Sequence, residues 1–160
     1  MVLDASALIT LARIGQLNLL RDLAEDIYIP EAVYNEVVKS GGGRPGSLEI
    51  AKARWISRHQ VRDREAVARL RAQLGQGEAE AIVLARELRA DAVVLDDATA
   101  RQLAEAAGQR VLGLLGLLLS AKERGVITSL KSTVDGMVAA GFFIDESLYR
   151  MILRQADEQP

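Results

Sequence analysis

Apolar and polar residues follow one another along the chain in blocks that predict strands and helices in turn. The apolar runs at 1–3, 27–29 and 92–95 have the length of buried strands, and the segments between them repeat apolar residues with the helical period of 3.6. Strands that alternate with such helices are typical of parallel βαβ units. The sequence therefore predicts an α/β fold with a central parallel sheet.

Breaks in the pattern give the predicted boundaries. We predict strands at 1–3, 27–29, 55–61, 92–95 and 110–112, and helices at 7–14, 17–24, 30–39, 48–54, 64–74, 78–89 and from Asp97 to 107. Beyond 112 we predict helices broken at Gly125 and Gly141, with Asp145 capping the last one, and we predict Ser6 as the cap of the first helix. Residues 1–160 are expected to form one domain, with a core at about 1–115, a helical extension at about 113–156 and a glycine-rich loop at 41–47.

Composition excludes several chemistries. The 160 residues contain no Cys and a single His, His59, so disulfides, thiolate nucleophiles, iron–sulfur clusters and sulfur-bound zinc are excluded. No apolar run is long enough to span a membrane, and the chain shows no signal-peptide pattern. We therefore expect a cytoplasmic protein without membrane partners.

Carboxylates stand where predicted strands end. Asp4 follows the first strand, and Asp96 and Asp97 follow the strand at 92–95. Ligands of open parallel sheets bind beyond the carboxyl ends of the strands. Glu36 and Glu78 lie on flanking helices and share faces with apolar residues, so both are expected to lean toward the core.

Converging carboxylates repel one another unless a cation neutralises them. An oxygen-only ligand set suits Mg²⁺, with Mn²⁺ as a substitute, and such a site favours phosphodiester hydrolysis. Each residue also has a purely structural interpretation, as a strand end, a solvated charge, a helix-dipole partner or a helix cap. Glu80 and Glu31 are competing carboxylates, but Glu80 cannot point the same way as Glu78 on a regular helix.

Four short motifs resemble those of PIN-domain ribonucleases. They are Leu3-Asp4-Ala5-Ser6, Ile29-Pro30 followed by Glu36-Val37, Gly77-Glu78-Ala79-Glu80-Ala81-Ile82, and Val94-Leu95-Asp96-Asp97 through Arg101 and Ala104. Their order and spacing are similar to those of the VapC-like toxin branch with a Gly-Glu-Ala third motif, and the resemblance runs from residue 1 to about 115. The tail around 141–144 also resembles the helical extension of that branch.

The resemblance implies a three-layer α/β/α domain and a metal-dependent endoribonuclease that cleaves single-stranded RNA. It places the catalytic acids at Asp4, Glu36, Glu78 and Asp97, the metal ligands at these four and Asp96, and an assisting hydroxyl at Ser6. Spacing to Arg101 and Ala104 favours Asp97 over Asp96 as the fourth acid. Relatives usually have Asp at the third position, where this chain has Glu78.

The charge is unevenly distributed. Residues 52–71 contain seven basic and two acidic side chains, although the whole chain has a net charge of -2. Local basic clusters bind nucleic-acid backbones, so Arg58, Arg62 and Arg64 are candidate RNA contacts, and Trp55 and His59 could stack on bases. Solvated arginines on a helix are the alternative.

The predicted function is the toxin of a type II toxin–antitoxin pair. A leucine-rich run at 114–119 could serve a homodimer or an antitoxin groove, although a larger core is the simpler interpretation. A catalytically silent PIN-like module that binds RNA or protein is the main alternative. A haloacid-dehalogenase-like phosphatase is a weaker one, because it needs a second Asp at position 6, which is Ser here.

Overall fold

Five strands form one sheet in which every pairing is parallel. The computed structural model describes residues 1–160 in full. The strands are β1 (Val2–Leu3), β2 (Ile27–Pro30), β3 (Ile56–His59), β4 (Val93–Val94) and β5 (Val111–Leu112), in the spatial order β3-β2-β1-β4-β5. This confirms the predicted fold class and the position of each strand.

Ten helices surround the sheet. They are α1 (Ala5–Arg13), α2 (Leu19–Leu23), α3 (Glu31–Tyr34), α4 (Ser47–Lys52), α5 (Arg64–Leu70), α6 (Gln76–Glu87), α7 (Ala98–Ala106), α8 (Leu114–Glu123), α9 (Leu130–Ala139) and α10 (Glu146–Gln155). The predicted breaks at Gly125 and Gly141 are confirmed, and Asp145 caps α10 by accepting a hydrogen bond from the Leu148 N–H at 2.9 Å.

The single helix predicted at 30–39 is wrong over its second half. After α3 the chain continues as a π-helical segment, Asn35–Lys39, which ends on a hydrogen bond from the Ser40 N–H to the Asn35 carbonyl at 2.7 Å. The following turn is tight, because a Cβ at Gly41 would lie 2.5 Å from the Val37 carbonyl oxygen. Wider π turns rotate the side chains they carry relative to a regular helix, which affects Glu36.

Two hydrophobic clusters lie on opposite faces of the sheet. Val2, Val93 and Leu95 belong to the cluster covered by α5, α6 and α7. Leu3, Ile29 and Val94 belong to the larger cluster, which also contains buried residues of α1, α8 and α9. Because neighbouring strand residues point to opposite faces, the two-residue strands β1 and β4 each contribute one side chain to each core. The result is the predicted three-layer arrangement.

The leucine-rich run in α8 completes this larger core. Leu114, Leu117 and Leu118 are buried, and Leu115 and Leu119 pack against the same cluster. The simpler of the two interpretations of this run is therefore confirmed. None of the helices has the length and apolar character needed to cross a bilayer.

β1 lies at the point where the chain order reverses. From β1 the chain builds β2 and β3 on one side, and it then returns to place β4 on the other side of β1. The register pairs Leu3 with Val94, so Asp4 and Asp96 leave the same edge of two adjacent strands. Such a reversal leaves a crevice at the carboxyl edge of a parallel sheet.

Candidate functional site

Asp4 is a buried carboxylate at the start of α1. The residue is only 3% exposed, and its Oδ1 accepts a hydrogen bond from the Ala7 N–H at 3.2 Å. Asp4 is therefore the cap of α1, and the prediction that Ser6 caps this helix is wrong. Because only Asp4 separates the strand from the helix, Ser6 lies within the first turn, where it lines a cleft.

Burial raises the pKa of the Asp4 carboxyl to about 7. The hydrogen bond from Ala7 opposes this shift, whereas the nearby negative charges of Asp96 and Glu78 add to it. These are two of the causes that keep a carboxyl protonated in a folded protein. Of the predicted carboxylates, Asp96 and Glu78 thus lie near enough to Asp4 to raise its pKa.

Asp96 and Asp97 point their carboxylates to different partners. Asp96 Oδ1 accepts a hydrogen bond from the Leu114 N–H at 2.9 Å, and Asp96 Oδ2 is buried without a hydrogen-bond partner. Asp97 is exposed and caps α7, since its Oδ1 accepts a hydrogen bond from the Ala100 N–H at 2.8 Å. Of the two residues, Asp96 is the one whose charge affects Asp4.

Glu36 lies against α6 at Gly77, the residue that precedes Glu78. A Cβ at Gly77 would lie 3.2 Å from Glu36 Oε2 and 3.3 Å from Val33 Cγ2, so the missing side chain gives the carboxylate of the π-helical segment room beside α6. Glu36 is exposed rather than turned toward the core, contrary to the prediction from a regular helix. Glu78 is half-buried, and its Oε2 accepts a hydrogen bond from the Gly75 N–H at 3.0 Å.

Glu80 is buried and fully engaged with protein donors. It is 3% exposed. Its Oε2 accepts a hydrogen bond from the Ala32 N–H at 3.0 Å, and its Oε1 accepts hydrogen bonds from Arg64 Nη1 at 2.9 Å and Gln76 Nε2 at 2.8 Å. These contacts occupy the oxygens that a metal would need, so Glu80 is a structural partner rather than a free ligand.

A cleft of about 890 Å³ opens beside these residues. Its lining contains five carboxylates and a single cationic side chain, that of Arg64. The carboxylates are Asp4, Glu31, Glu36, Glu78 and Glu80. Asn35 and Gln60 also line the cleft. Neither residue belongs to a motif, so no sequence signal selects it.

The donor chemistry of this cleft fits a divalent cation. No three of its Asp and Glu side chains are close enough together to form a closed ligand set. However, Asp4 is buried near the like charges of Asp96 and Glu78, and a cation beside it would relieve this repulsion. Asp96, which is outside the cleft lining, has a buried Oδ2 without a hydrogen-bond partner. Oxygen ligands of this kind suit Mg²⁺ or Mn²⁺, which keep several water ligands.

The three predicted RNA contacts have different surroundings. The guanidinium of Arg58 pairs with Glu31 at 3.1 Å and lies 4.1 Å from the ring centre of Tyr34. Arg62 is exposed and does not line the cleft. Arg64 lines it and is bound to Glu80. Of the two predicted stacking residues, His59 contacts the Tyr28 ring edge-on, and Trp55 packs against the larger core.

Comparisons with known proteins identify one family. A family model described as a PIN domain matches residues 1–158. No curated protein matches the chain. The family match extends beyond the four motifs and includes the C-terminal helices.

Proposed function

Since the chain belongs to the PIN-domain family, whose members are generally nucleases, we propose that it is a metal-dependent endoribonuclease that cleaves single-stranded RNA. The observation that carries this proposal is the buried Asp4 carboxyl beside Asp96 at the switch point of the sheet. A buried acid among like charges is costly for folding. Its position at the edge where ligands bind supports a role in chemistry.

The proposed metal ligands are Asp4, Glu36, Glu78 and Asp96, directly or through water. Asp96 is preferred to Asp97 as the fourth acid because its charge acts on Asp4 and its Oδ2 is buried without a partner, whereas Asp97 is exposed and caps α7. When bound, Mg²⁺ or Mn²⁺ would supply an activated water and neutralise charge on the phosphoryl group.

The chain's own residues prepare the cleft for that chemistry. Because its pKa is about 7, the Asp4 carboxyl holds a proton near neutral pH and releases that proton when a metal cation binds in its place. Gly77 leaves the space in which the Glu36 carboxylate lies against α6. Ser6 places a hydroxyl on the same wall, where it can hydrogen-bond a bound water or a phosphate oxygen.

The direct test is cleavage of a labelled single-stranded RNA with Mg²⁺, with Mn²⁺ and with a chelator. We expect cleavage that requires the metal and falls at least 100-fold in Asp4→Asn. Asp22→Asn is the matched control, because it makes the same change at an exposed residue outside the cleft. Equal activity in the chelator, or an unaffected Asp4→Asn, contradicts the proposal and favours the silent binding module.

The proposed biological role is that of a toxin controlled by an antitoxin in the cytoplasm. Its test is growth arrest when the chain is expressed alone, relieved by Asp4→Asn and by a co-expressed cognate partner. A homodimer is also proposed; exposed apolar side chains in the C-terminal region, including Phe143 at 87% exposure, support a protein contact there. Sedimentation of the purified chain would measure its oligomeric state.

A further inference from the structure

The cleft presents an electrostatic difficulty for an anionic substrate. Five carboxylates line it, and Arg64 is its one cationic residue. Metal ions can neutralise some of the carboxylates, but Glu80 binds protein donors instead. A phosphate entering the cleft therefore meets a single fixed positive group of the protein, and the position of that group is set by Glu80.

The ion pair between Arg64 and Glu80 is asymmetric. Glu80 has a side-chain exposure of 4%, and three donors fill its two oxygens. The Arg64 side chain is 51% exposed, and its hydrogen bond to Glu80 is the only one it makes within the protein. A guanidinium has five N–H donors, so most of those on Arg64 remain available to a ligand in the cleft.

Glu80 also fixes the helices around Arg64. It joins α6, which carries it, to the Ala32 N–H in the first turn of α3 and to Arg64 at the start of α5. Its own helix contributes Gln76 Nε2 to the same oxygen that binds Arg64. This buried contact holds a long, flexible arginine side chain at one place on the cleft wall, which lowers the entropy cost of binding through it.

We infer that Glu80 is a positioning residue that orients the Arg64 guanidinium toward a phosphate of the bound RNA strand. The inference rests on the proposed function for the identity of the ligand. It predicts that RNA affinity changes in the opposite direction to the one expected from net charge alone when Glu80 loses its negative charge. Removing a negative charge from the cleft should tighten RNA binding on general electrostatic grounds, whereas loss of the positioning contact should weaken it.

The test is binding of a short labelled single-stranded RNA in a chelator, at several salt concentrations, so that no metal-dependent cleavage occurs. Arg64→Gln and Glu80→Gln should each weaken binding three- to tenfold, and the double variant should bind no more weakly than the weaker single variant. Each single variant should reduce the slope of log affinity against log salt by about 0.7, the value for one phosphate contact on a single strand. Glu65→Gln is the matched control, since Glu65 is exposed and lies beside Arg64 in sequence without lining the cleft; it should bind equally or slightly more tightly.

Kinetics separates positioning from a general loss of structure. Under metal-dependent turnover, Arg64→Gln and Glu80→Gln should raise KM with kcat within about twofold of wild type. If Glu80→Gln lowers the melting temperature, Arg64→Gln still tests the inference, because it changes a half-exposed side chain and should leave the fold intact.

Unchanged RNA affinity in Arg64→Gln overturns the inference, as does tighter binding in a folded Glu80→Gln or full additivity in the double variant. The predicted binding changes without any metal-dependent cleavage would instead overturn the proposed function and leave the positioning contact standing. A wild-type chain that does not bind the RNA would overturn both.

Discussion

Asp96 Oδ1 accepts a hydrogen bond from the Leu114 N–H at 2.9 Å, which connects the end of β4 to the first residue of α8. The same carboxylate keeps its other oxygen buried and unpartnered, and its charge raises the pKa of Asp4. The C-terminal helices are thus fixed to the candidate metal site through one side chain. This relationship distinguishes Asp96 from its neighbour Asp97.

Exchanging the two neighbouring acids for amides should therefore give different results. Asp96→Asn should reduce metal-dependent cleavage at least 100-fold, because it removes the free carboxylate oxygen beside Asp4. Asp97→Asn should keep activity within about threefold, since Asn is as good a helix cap as Asp. Cleavage rates of the two variants at saturating Mn²⁺ measure this difference, and the reverse order would assign the fourth acid to Asp97.

Gly77→Ala should weaken metal binding without unfolding the protein. The added Cβ would lie 3.2 Å from Glu36 Oε2 and 3.3 Å from Val33 Cγ2, so the Glu36 carboxylate must move. Better helix propensity, worth up to about 1 kcal/mol, offsets the crowding. Gly116→Ala is the control in α8, where a Cβ meets nothing within 4 Å. We expect the Mn²⁺ concentration for half-maximal activity to rise several-fold in Gly77→Ala only.

The metal-free protein should lose stability as the pH rises from about 4 to about 7. Over this range the unfolded Asp4 carboxyl has released the proton that the folded one retains, because burial raises its folded pKa to about 7 from 3.8. The difference of about three pH units sets a ceiling of about 4 kcal/mol. Asp4→Asn should remove this pH dependence and melt at a higher temperature than wild type at pH 7, as measured by chelator-treated thermal unfolding. A wild-type profile that is flat or rises over this range would contradict the assigned pKa.

Glu158 should stabilise the C-terminal helices with the opposite pH dependence. Burial by itself would raise its pKa, but hydrogen bonds from the Lys131 and Leu130 N–H groups, the Ser129 hydroxyl and the Lys122 ammonium outweigh it and hold the pKa at about 2. Its contribution is complete above pH 4.5 and is lost as the pH falls toward 2. Glu158→Gln should therefore lower the melting temperature at pH 7, and the gap to wild type should narrow on acidification. Glu105→Gln, an exposed change on α7, is the control; a gap that does not narrow would contradict the interpretation.

The sequence predicted much of the fold because strand and helix periods are local properties. Each predicted strand is present, and the breaks at Gly125 and Gly141 are where the sequence placed them. The sequence pattern does not predict the π-helical segment at Asn35–Lys39. Its hydrogen bond joins residues five apart in sequence and depends on how the next turn packs around Gly41. The cap of α1 was misplaced from Asp4 to Ser6 because the strand–helix boundary differs by two residues from the prediction.

By itself the sequence determined that this protein is an α/β domain with carboxylates at the ends of its strands and without nitrogen- or sulfur-based metal chemistry. Only the tertiary structure decided which carboxylates meet. The charge of Asp96 raises the pKa of Asp4 whereas Asp97 caps a helix, and Glu80 binds Arg64 instead of remaining free. The physical reason is that strand ends and helix faces follow from local periodicity, whereas desolvation, charge coupling and hydrogen-bond partners depend on residues distant in sequence that the parallel sheet brings together.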